Sequence, residues 1–173
     1  MADEKHFSWK DIGDIELGRE NLGTNMPVAV YRLLQFSIRD VLLHTYGYEQ
    51  MQDVFRKAGE IAGREFAHNM LDLSQDFNGF ISELQQKLKD LQIGILRIER
   101  SDLDNLHFTL TVAEDLDCSG LDVTDETVCD YDEGFIAGIL QSYTDVPFTV
   151  REIDCWANGA RVCRFDAKGG NES

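Results

Sequence analysis

The chain has 173 residues, of which 43% are hydrophobic and 28% charged, and 32 acidic against 16 basic residues give a net charge of −16. This composition is typical of a single globular domain and excludes an intrinsically disordered chain. Because such a charge repels phosphates and anionic lipids, it argues against binding to nucleic acid or to a membrane surface. The N-terminus lacks the apolar core of a signal peptide and no apolar run is long enough to span a bilayer, so we expect a cytoplasmic protein.

The N-terminal half of the chain has the periodicity of helices. Residues 1–24 are polar and interrupted by glycines, which indicates an N-terminal arm. Apolar residues then recur at three- and four-residue steps, which predicts amphipathic helices over residues 27–46, 49–70 and 74–91. Gly47 is the expected end of the first helix.

The C-terminal half changes to the alternation of strands. The predicted elements are a hairpin of strands over 93–100 and 106–112, a short helix over 131–143, and strands over 148–156 and 162–167 around Asn158-Gly159. This order predicts an α+β fold in which the N-terminal helices pack on an antiparallel sheet of about four strands, with a short helix between two hairpins. We expect the domain to cover residues 25–167, followed by a disordered tail over 168–173.

Two pairs of glycines lie one helical turn apart. Gly59 and Gly63 belong to the second predicted helix, and Gly134 and Gly138 to the short helix between the hairpins. A glycine lets another backbone approach closely, although each one weakens its own helix. Close helix packing is the favoured interpretation, and lining a cavity is the alternative.

Four cysteines in the last third of the chain are the clearest candidate site: Cys118, Cys129, Cys155 and Cys163. A hairpin with a thiolate on each strand brings two ligands together, and a third thiolate with a carboxylate or a fourth thiolate would complete a tetrahedral zinc shell. A strict two-residue turn at Asn158-Gly159 would place Cys155 and Cys163 on opposite faces, so metal binding requires a bulge or an odd-length loop. The spacing alone leaves a metal site, buried free thiols and a redox disulfide open.

Many acidic residues surround these cysteines. They lack the register of a calcium-binding loop, so we expect a solvated face that raises cation affinity nearby. The residues are Asp115, Asp117, Asp122, Asp125, Glu126, Asp130, Asp132 and Glu133.

No motif in the sequence indicates catalysis. The four histidines share no metal-ligand spacing; His44 and His68 are expected near helix ends, and His107 on the exposed side of its strand. Ser119 lacks a nucleophile elbow, and no glycine-rich phosphate loop follows a strand.

Several of these residue groups together resemble the 4-vinyl-reductase-type domain family over residues 26–167. The Gly-Phe-Ile-Ala-Gly helix followed by the cysteine hairpin is the most specific part. The matching segments are residues 58–65, 118–120, 129–138 and 152–165. The family is similar to the sensor domains of phenol-responsive bacterial transcriptional activators and, more distantly, to transport-particle (TRAPP) subunits of the vesicle tethering system.

The resemblance implies an apolar small-molecule pocket and a homodimer formed largely through helices. In the phenol sensors zinc is held by three cysteines and one glutamate, which match Cys129, Glu152, Cys155 and Cys163 here. Cys118 is an alternative fourth ligand, and four thiolates would also admit an iron–sulfur cluster. The residues that hold phenol in those sensors fall near Phe80 and Phe108, which implies a more hydrocarbon-like pocket.

The sequence therefore predicts a non-catalytic domain that binds or senses a small apolar or aromatic molecule, with zinc as a structural clamp. One alternative is an enzyme or redox protein of tetrapyrrole or hydrocarbon metabolism that carries an iron–sulfur cluster. The other is an interaction subunit without a ligand, whose interior would be filled.

Overall fold

The computed structural model describes residues 6–170, which form five α-helices, two short 3-10 turns and one four-stranded antiparallel sheet. The helices are α1 (Ile15–Gly18), α2 (Val28–Tyr46), α3 (Tyr48–Met70), α4 (Phe77–Asp90) and α5 (Asp130–Thr144). The strands are β1 (Ile95–Asp102), β2 (His107–Ala113), β3 (Phe148–Asp154) and β4 (Cys163–Gly169). The predicted α+β class and the order of the main elements are confirmed.

The strand order β1-β2-β4-β3 places the two hairpins side by side. Strand β4 lies in the interior of the sheet and pairs with β2 on one side and β3 on the other. Its register sets Phe165 opposite Leu110 and Cys163 opposite Val112, so that buried residues of neighbouring strands share one face. Helix α4 packs on β1 and α5 packs on β3, and the core lies between these helices and the sheet.

The sheet continues beyond the predicted boundary of the C-terminal tail. Strand β4 runs to Gly169, whose N–H donates to Leu106 O at 2.8 Å, and the N–H of Gly170 donates to Pro147 O at 2.8 Å. Residue 168, the predicted start of a tail, is therefore part of a paired strand because these backbone hydrogen bonds hold it. The rest of that tail and the first part of the predicted arm lie outside the described residues.

Helix α2 turns its apolar stripe away from the body of the protein. The stripe is 45 to 73% exposed and consists of Val30, Leu33, Leu34, Ile38 and Val41. Gln35 is the buried residue of this helix. Helix α2 packs on α3 and not on the sheet, since its arginines and Tyr31 contact the loop between β2 and α5. The expectation that the N-terminal helices pack on the sheet thus holds for α4 and is wrong for α2.

Helices α3 and α5 cross so closely that their backbones touch, and they make the most extensive contact between any two described elements. A Cβ atom at Gly134 would lie 1.9 Å from Arg56 O, and one at Gly59 would lie 2.0 Å from Tyr131 O. The glycines are required because any side chain would force the helices apart. Close packing, the favoured interpretation of the two glycine pairs, is confirmed.

We expect Gly134→Ala to lower the free energy of unfolding by about 3 kcal/mol or more, because the added methyl group has no room against the α3 backbone. Gly18→Ala is the matched control, since nothing lies within 4 Å of a Cβ atom there, and it should be neutral or stabilising by up to about 1 kcal/mol. Urea denaturation measures both. Equal stability of Gly134→Ala and the wild type would contradict the close crossing.

Candidate metal centre and adjoining cavities

The four cysteines converge on one buried point. Their Sγ atoms all lie within 4.8 Å of one another, and no cysteine is more than 1% exposed. The Cys129 sulfur is 3.8 Å from those of Cys155 and Cys163, and the Cys118 and Cys163 sulfurs are 3.0 Å apart. All four are free cysteines. This convergence is the arrangement that a shared metal ion requires.

Four different backbone elements present these sulfurs. Cys118 lies in the turns after β2, Cys129 immediately precedes α5, Cys155 follows β3, and Cys163 is the first residue of β4. Because the loop after β2 and the second hairpin both contribute, the cluster ties the irregular part of the chain to the sheet.

The β3–β4 connection resolves the geometric objection to metal binding by the hairpin. Asn158-Gly159 is not a two-residue turn but the end of a 3-10 turn (Trp156–Asn158), and the register shifts between Glu152 and Asp154. The Asn158 side chain accepts a hydrogen bond from the Cys155 N–H at 3.1 Å, which closes the longer loop. The turn-based expectation was wrong in its loop length, and the bulge that metal binding requires is present.

The donor set fits a single tetrahedral ion. Zinc–thiolate bonds of about 2.3 Å place neighbouring sulfurs of a regular tetrahedron about 3.8 Å apart. Two of the three sulfur–sulfur distances above have this value, 3.8 Å. Four thiolates in tetrahedral arrangement are typical of zinc or of iron–sulfur sites.

The protonation of the cluster is set by contacts among the sulfurs. Hydrogen bonding with Cys118 is the largest cause that raises the pKa of Cys129 and of Cys163 and that lowers the pKa of Cys155. Sulfurs this close cannot all ionise without a cation between them, because four like charges repel in a buried site. Metal binding therefore releases protons and stabilises the folded chain by the binding free energy.

Glu152 lies beside the cluster, but its carboxylate is not in the group of mutually close ligand atoms, where Cys118 stands instead. Its Oε2 accepts a hydrogen bond from the Cys129 N–H at 3.2 Å, and its Oε1 is buried without a hydrogen-bond partner. Burial, followed by the nearby Cys155, raises the pKa of Glu152 to about 9. This carboxyl group orients the backbone of one cysteine, and metal ligation by it stays a prediction.

Acidic residues at the start of α5 are buried, contrary to the expected solvated face. Asp130 and Glu133 are 3% and 5% exposed. Arg39 of α2 donates to Asp130 at 2.9 Å, and Arg56 of α3 donates to Asp130 at 3.0 Å and also to Glu133. These pairs fix the residue after Cys129, and the desolvation of the charges requires such pairing.

Helix α2 also holds the chain around Cys118. The Arg32 guanidinium donates to Leu116 O at 2.8 Å and to Ser119 O at 2.9 Å, and Tyr31 Oη donates to Asp117 Oδ1 at 2.8 Å. The loop from β2 to α5 is therefore held from the α2 side by hydrogen bonds and from the sheet side by the sulfur cluster.

Two adjoining cavities lie next to the metal centre. The outer cavity, of about 300 Å³, lies between the N-terminal segment, α2, α3 and α5, and its apolar lining includes Trp9, Phe66, Ile93 and Phe135. The inner cavity, of about 40 Å³, lies between α4, α5 and the sheet. Both are lined by Ile93, Asp132 and Phe135, so they meet at these residues.

Phe80 and Phe108, the predicted ligand contacts, lie in the packed core. They are 0% and 1% exposed, and each stacks on another aromatic ring, Phe80 on Tyr143 and Phe108 on Phe77. Neither lines the outer or the inner cavity. Contact of either residue with a ligand stays a prediction.

The acidic residues that line the cavities had no distinguishing sign in the sequence. Burial, followed by the nearby Asp117, raises the pKa of Asp115 to about 7. Burial raises the pKa of Asp117 and of Asp132 as well. They could have been singled out only from the apolar strand that precedes Asp115 and the apolar face that follows Asp132. His107, expected on the exposed side, is partly buried and lies 2.6 Å from Asp166.

The fold and this site together define an α+β domain with a four-cysteine cluster and an internal apolar space. Residues 108–169 match the family model of the vinyl-4-reductase domain. The resemblance to the 4-vinyl-reductase-type domain, stated above from the sequence, is thereby confirmed. The matched segment covers β2 to β4 and includes all four cysteines.

Two uncharacterized proteins of Methanocaldococcus jannaschii are similar to this chain. One is 25% identical over 150 residues, which cover 86% of this chain and 81% of that protein. The other is 23% identical over 162 residues, which cover 92% of this chain and 87% of that protein.

Three solved structures share the fold. A vinyl-4-reductase family protein of M. jannaschii has a TM-score of 0.65 at 19% identity, over 99% of each chain. The phenol-responsive sensory domain of the transcription activator PoxR, solved with phenol, has a TM-score of 0.65 at 18% identity, over 85% of this chain and 76% of that one. Subunit 3 of the trafficking protein particle complex of Naegleria fowleri, covalently bound to palmitic acid, has a TM-score of 0.67 at 11% identity, over 83% and 95%.

None of the described helices combines the length and the apolar character needed to cross a membrane.

Proposed function

We propose that this protein is a non-catalytic domain that binds or senses a small, largely apolar molecule, and that a single zinc ion held by its cysteines stabilises the binding fold. The observation that carries this proposal is the outer cavity of about 300 Å³ that opens towards the inner one. A buried water molecule needs only about 10–15 Å³ measured in the same way, so this space is large enough for an organic ligand.

The lining of the cavities supports an apolar ligand. Aromatic and aliphatic side chains form most of both walls, and a few polar groups stand at their junction. This combination is typical of small-molecule sites. The alternative of an interaction subunit expects a filled interior, and the outer cavity argues against it. Two structures with this fold carry phenol and palmitic acid, which also supports an apolar ligand.

The tight spacing of the sulfurs supports one ion. In an iron–sulfur cluster each iron takes its own thiolate and bridging sulfides lie between the irons, which separates the thiolates more widely than a single ion does. Sulfur atoms within 4.8 Å of one another fit the single ion better. With Cys118 as the fourth ligand the zinc shell is closed, which is typical of a structural role.

The fourth ligand can be tested by substitution. We expect Cys118→Ser and Cys163→Ser to lose zinc and to melt at a lower temperature, because loss of a ligand is loss of folding free energy. We expect Glu152→Gln and the neighbouring control Ser119→Ala to retain one zinc ion per chain. Elemental analysis with thermal denaturation measures both effects. Zinc loss in Glu152→Gln with full zinc in Cys118→Ser would assign the fourth position to Glu152.

The outer cavity can be tested by filling it. Ala62 of α3 lines this cavity, and we expect Ala62→Phe to weaken the binding of toluene at least about tenfold by occupying its space. Ala58→Phe, on the exposed side of the same helix, is the control and should bind toluene as the wild type does. Isothermal titration calorimetry measures the affinities.

Phe108→Ala, titrated in the same way, examines the pocket position suggested by the sequence. The structure predicts a loss of stability of about 3–5 kcal/mol with toluene affinity retained in the folded fraction. Unchanged affinity in Ala62→Phe together with lost affinity in Phe108→Ala would move the site to the Phe108 side of the core.

We further propose that the protein is a homodimer, with the exposed stripe of α2 at the interface between two copies. The stripe spans most of a 19-residue helix and continues onto the exposed Val54 and Ile61 of α3. Contiguous apolar surface of this kind is typical of a protein–protein interface. A cytoplasmic location is also proposed, since a reducing compartment keeps buried thiols free.

We expect Leu34→Lys, which is 63% exposed in the stripe, to convert the dimer to a monomer because a charge would be buried at the interface. Leu103→Lys, at a leucine that is 51% exposed beyond β1, is the control and should leave the dimer unchanged. Size-exclusion chromatography with light scattering measures the mass. A wild-type mass of one chain at every concentration would contradict the dimer.

A further inference from the structure

We propose that the ligand carries a cationic, hydrogen-bond-donating head, an organic ammonium group, which Asp117 and Asp132 hold where the outer and inner cavities meet. This inference rests on the proposed function and names the chemical class of its ligand.

Two carboxylate oxygens at the junction have no partner within residues 6–170. Asp132 lines both cavities, and its Oδ2 is buried without a hydrogen bond. Asp117 lines the outer cavity and is 2% exposed; its Oδ1 accepts from Tyr31, while its Oδ2 is buried without a hydrogen bond. Buried acceptors are normally paired, so two unpaired oxygens at one cavity indicate a donor that a ligand supplies.

The basic side chains near this junction are already engaged. Arg32 donates to the carbonyl groups of the loop, including Leu116 and Ser119. Arg39 donates to Asp130 and to the Val128 carbonyl group. Asp115, which lines the inner cavity, accepts from the Asp117 N–H at 2.8 Å and so braces the loop. These contacts leave the free oxygens of Asp117 and Asp132 to face the cavity.

The charge of the cavity wall selects the head group. Three acidic residues, Glu65, Asp117 and Asp132, line the outer cavity, and its lining within the described chain includes no Lys, Arg or His. A carboxylate, phosphate or phenolate head would be repelled there. A neutral hydroxyl group donates one hydrogen bond but leaves the carboxylates without a counter-charge. An ammonium group supplies several donors and a positive charge, and charge-assisted hydrogen bonds are the stronger kind.

The rest of the outer cavity suits an apolar body attached to that head. Trp9, Phe66 and Phe135 line it with aromatic rings, and Tyr131 lies beside Asp132. Aromatic faces attract organic cations in addition to burying hydrocarbon. The combination of acidic junction and aromatic wall therefore fits an amphiphilic amine better than a pure hydrocarbon.

The test is calorimetric titration of the zinc-loaded full chain with three probes that share an eight-carbon tail: n-octylammonium, n-octanol and n-octanoate. We expect n-octylammonium to bind at least about tenfold more tightly than n-octanol, and n-octanoate to bind more weakly than both. Asp132→Asn should weaken n-octylammonium binding about tenfold or more and leave n-octanol within about threefold. Asp122→Asn, at an exposed residue of the same loop, is the control and should change neither affinity.

The outcomes separate this inference from the proposed function. Equal binding of n-octanol and n-octylammonium, or tighter binding of n-octanoate, overturns the ammonium site and leaves the ligand-binding domain standing. Failure of all three probes to bind to folded, zinc-loaded protein overturns both. If Asp132→Asn does not fold, Asp117→Asn provides the same comparison, since its free oxygen faces the same cavity.

Discussion

The mutual contact of four buried thiols is the constraint on which the C-terminal part of this fold depends. Sulfur atoms within 4.8 Å of one another, from four separate stretches of backbone, remain together either as thiols or around a cation. A net charge of −16 and a ring of acidic residues make the cation the more favourable choice, because the protein's own field attracts it. A dication at this point joins the loop after β2, the start of α5 and the β3–β4 hairpin, which contain few regular backbone hydrogen bonds of their own.

Helix α2 links the metal centre, the cavities and the proposed dimer surface. Its inner side carries Tyr31, Arg32 and Arg39, which bind the loop around Cys118 and the start of α5. Its outer side carries the apolar stripe. A helix with this division can sense both a ligand at Asp117 and a second chain, since each contact acts on the same rigid element. The close crossing of α3 and α5 supplies the fixed frame against which α2 is held.

Local sequence patterns predicted the elements well, because periodicity and glycine spacing reflect local geometry. The helices, both hairpins and the glycine crossing followed from such patterns. Features set by long-range pairing did not: the outward stripe of α2, the buried Asp130 with its arginine partners from two other helices, and the cavity beside Asp132. The loop at Asn158-Gly159 also differed from expectation, because the side chain of Asn158 closes a longer turn onto Cys155 than the dipeptide alone indicates.

The most direct test of the central claim is the metal content of the purified full-length protein. Native mass spectrometry combined with elemental analysis should find one zinc ion per chain, retained in the folded state and released with four titratable thiols on denaturation. A folded chain whose native mass equals that of the polypeptide alone, with four reactive thiols and a melting temperature insensitive to a strong chelator, would contradict the account.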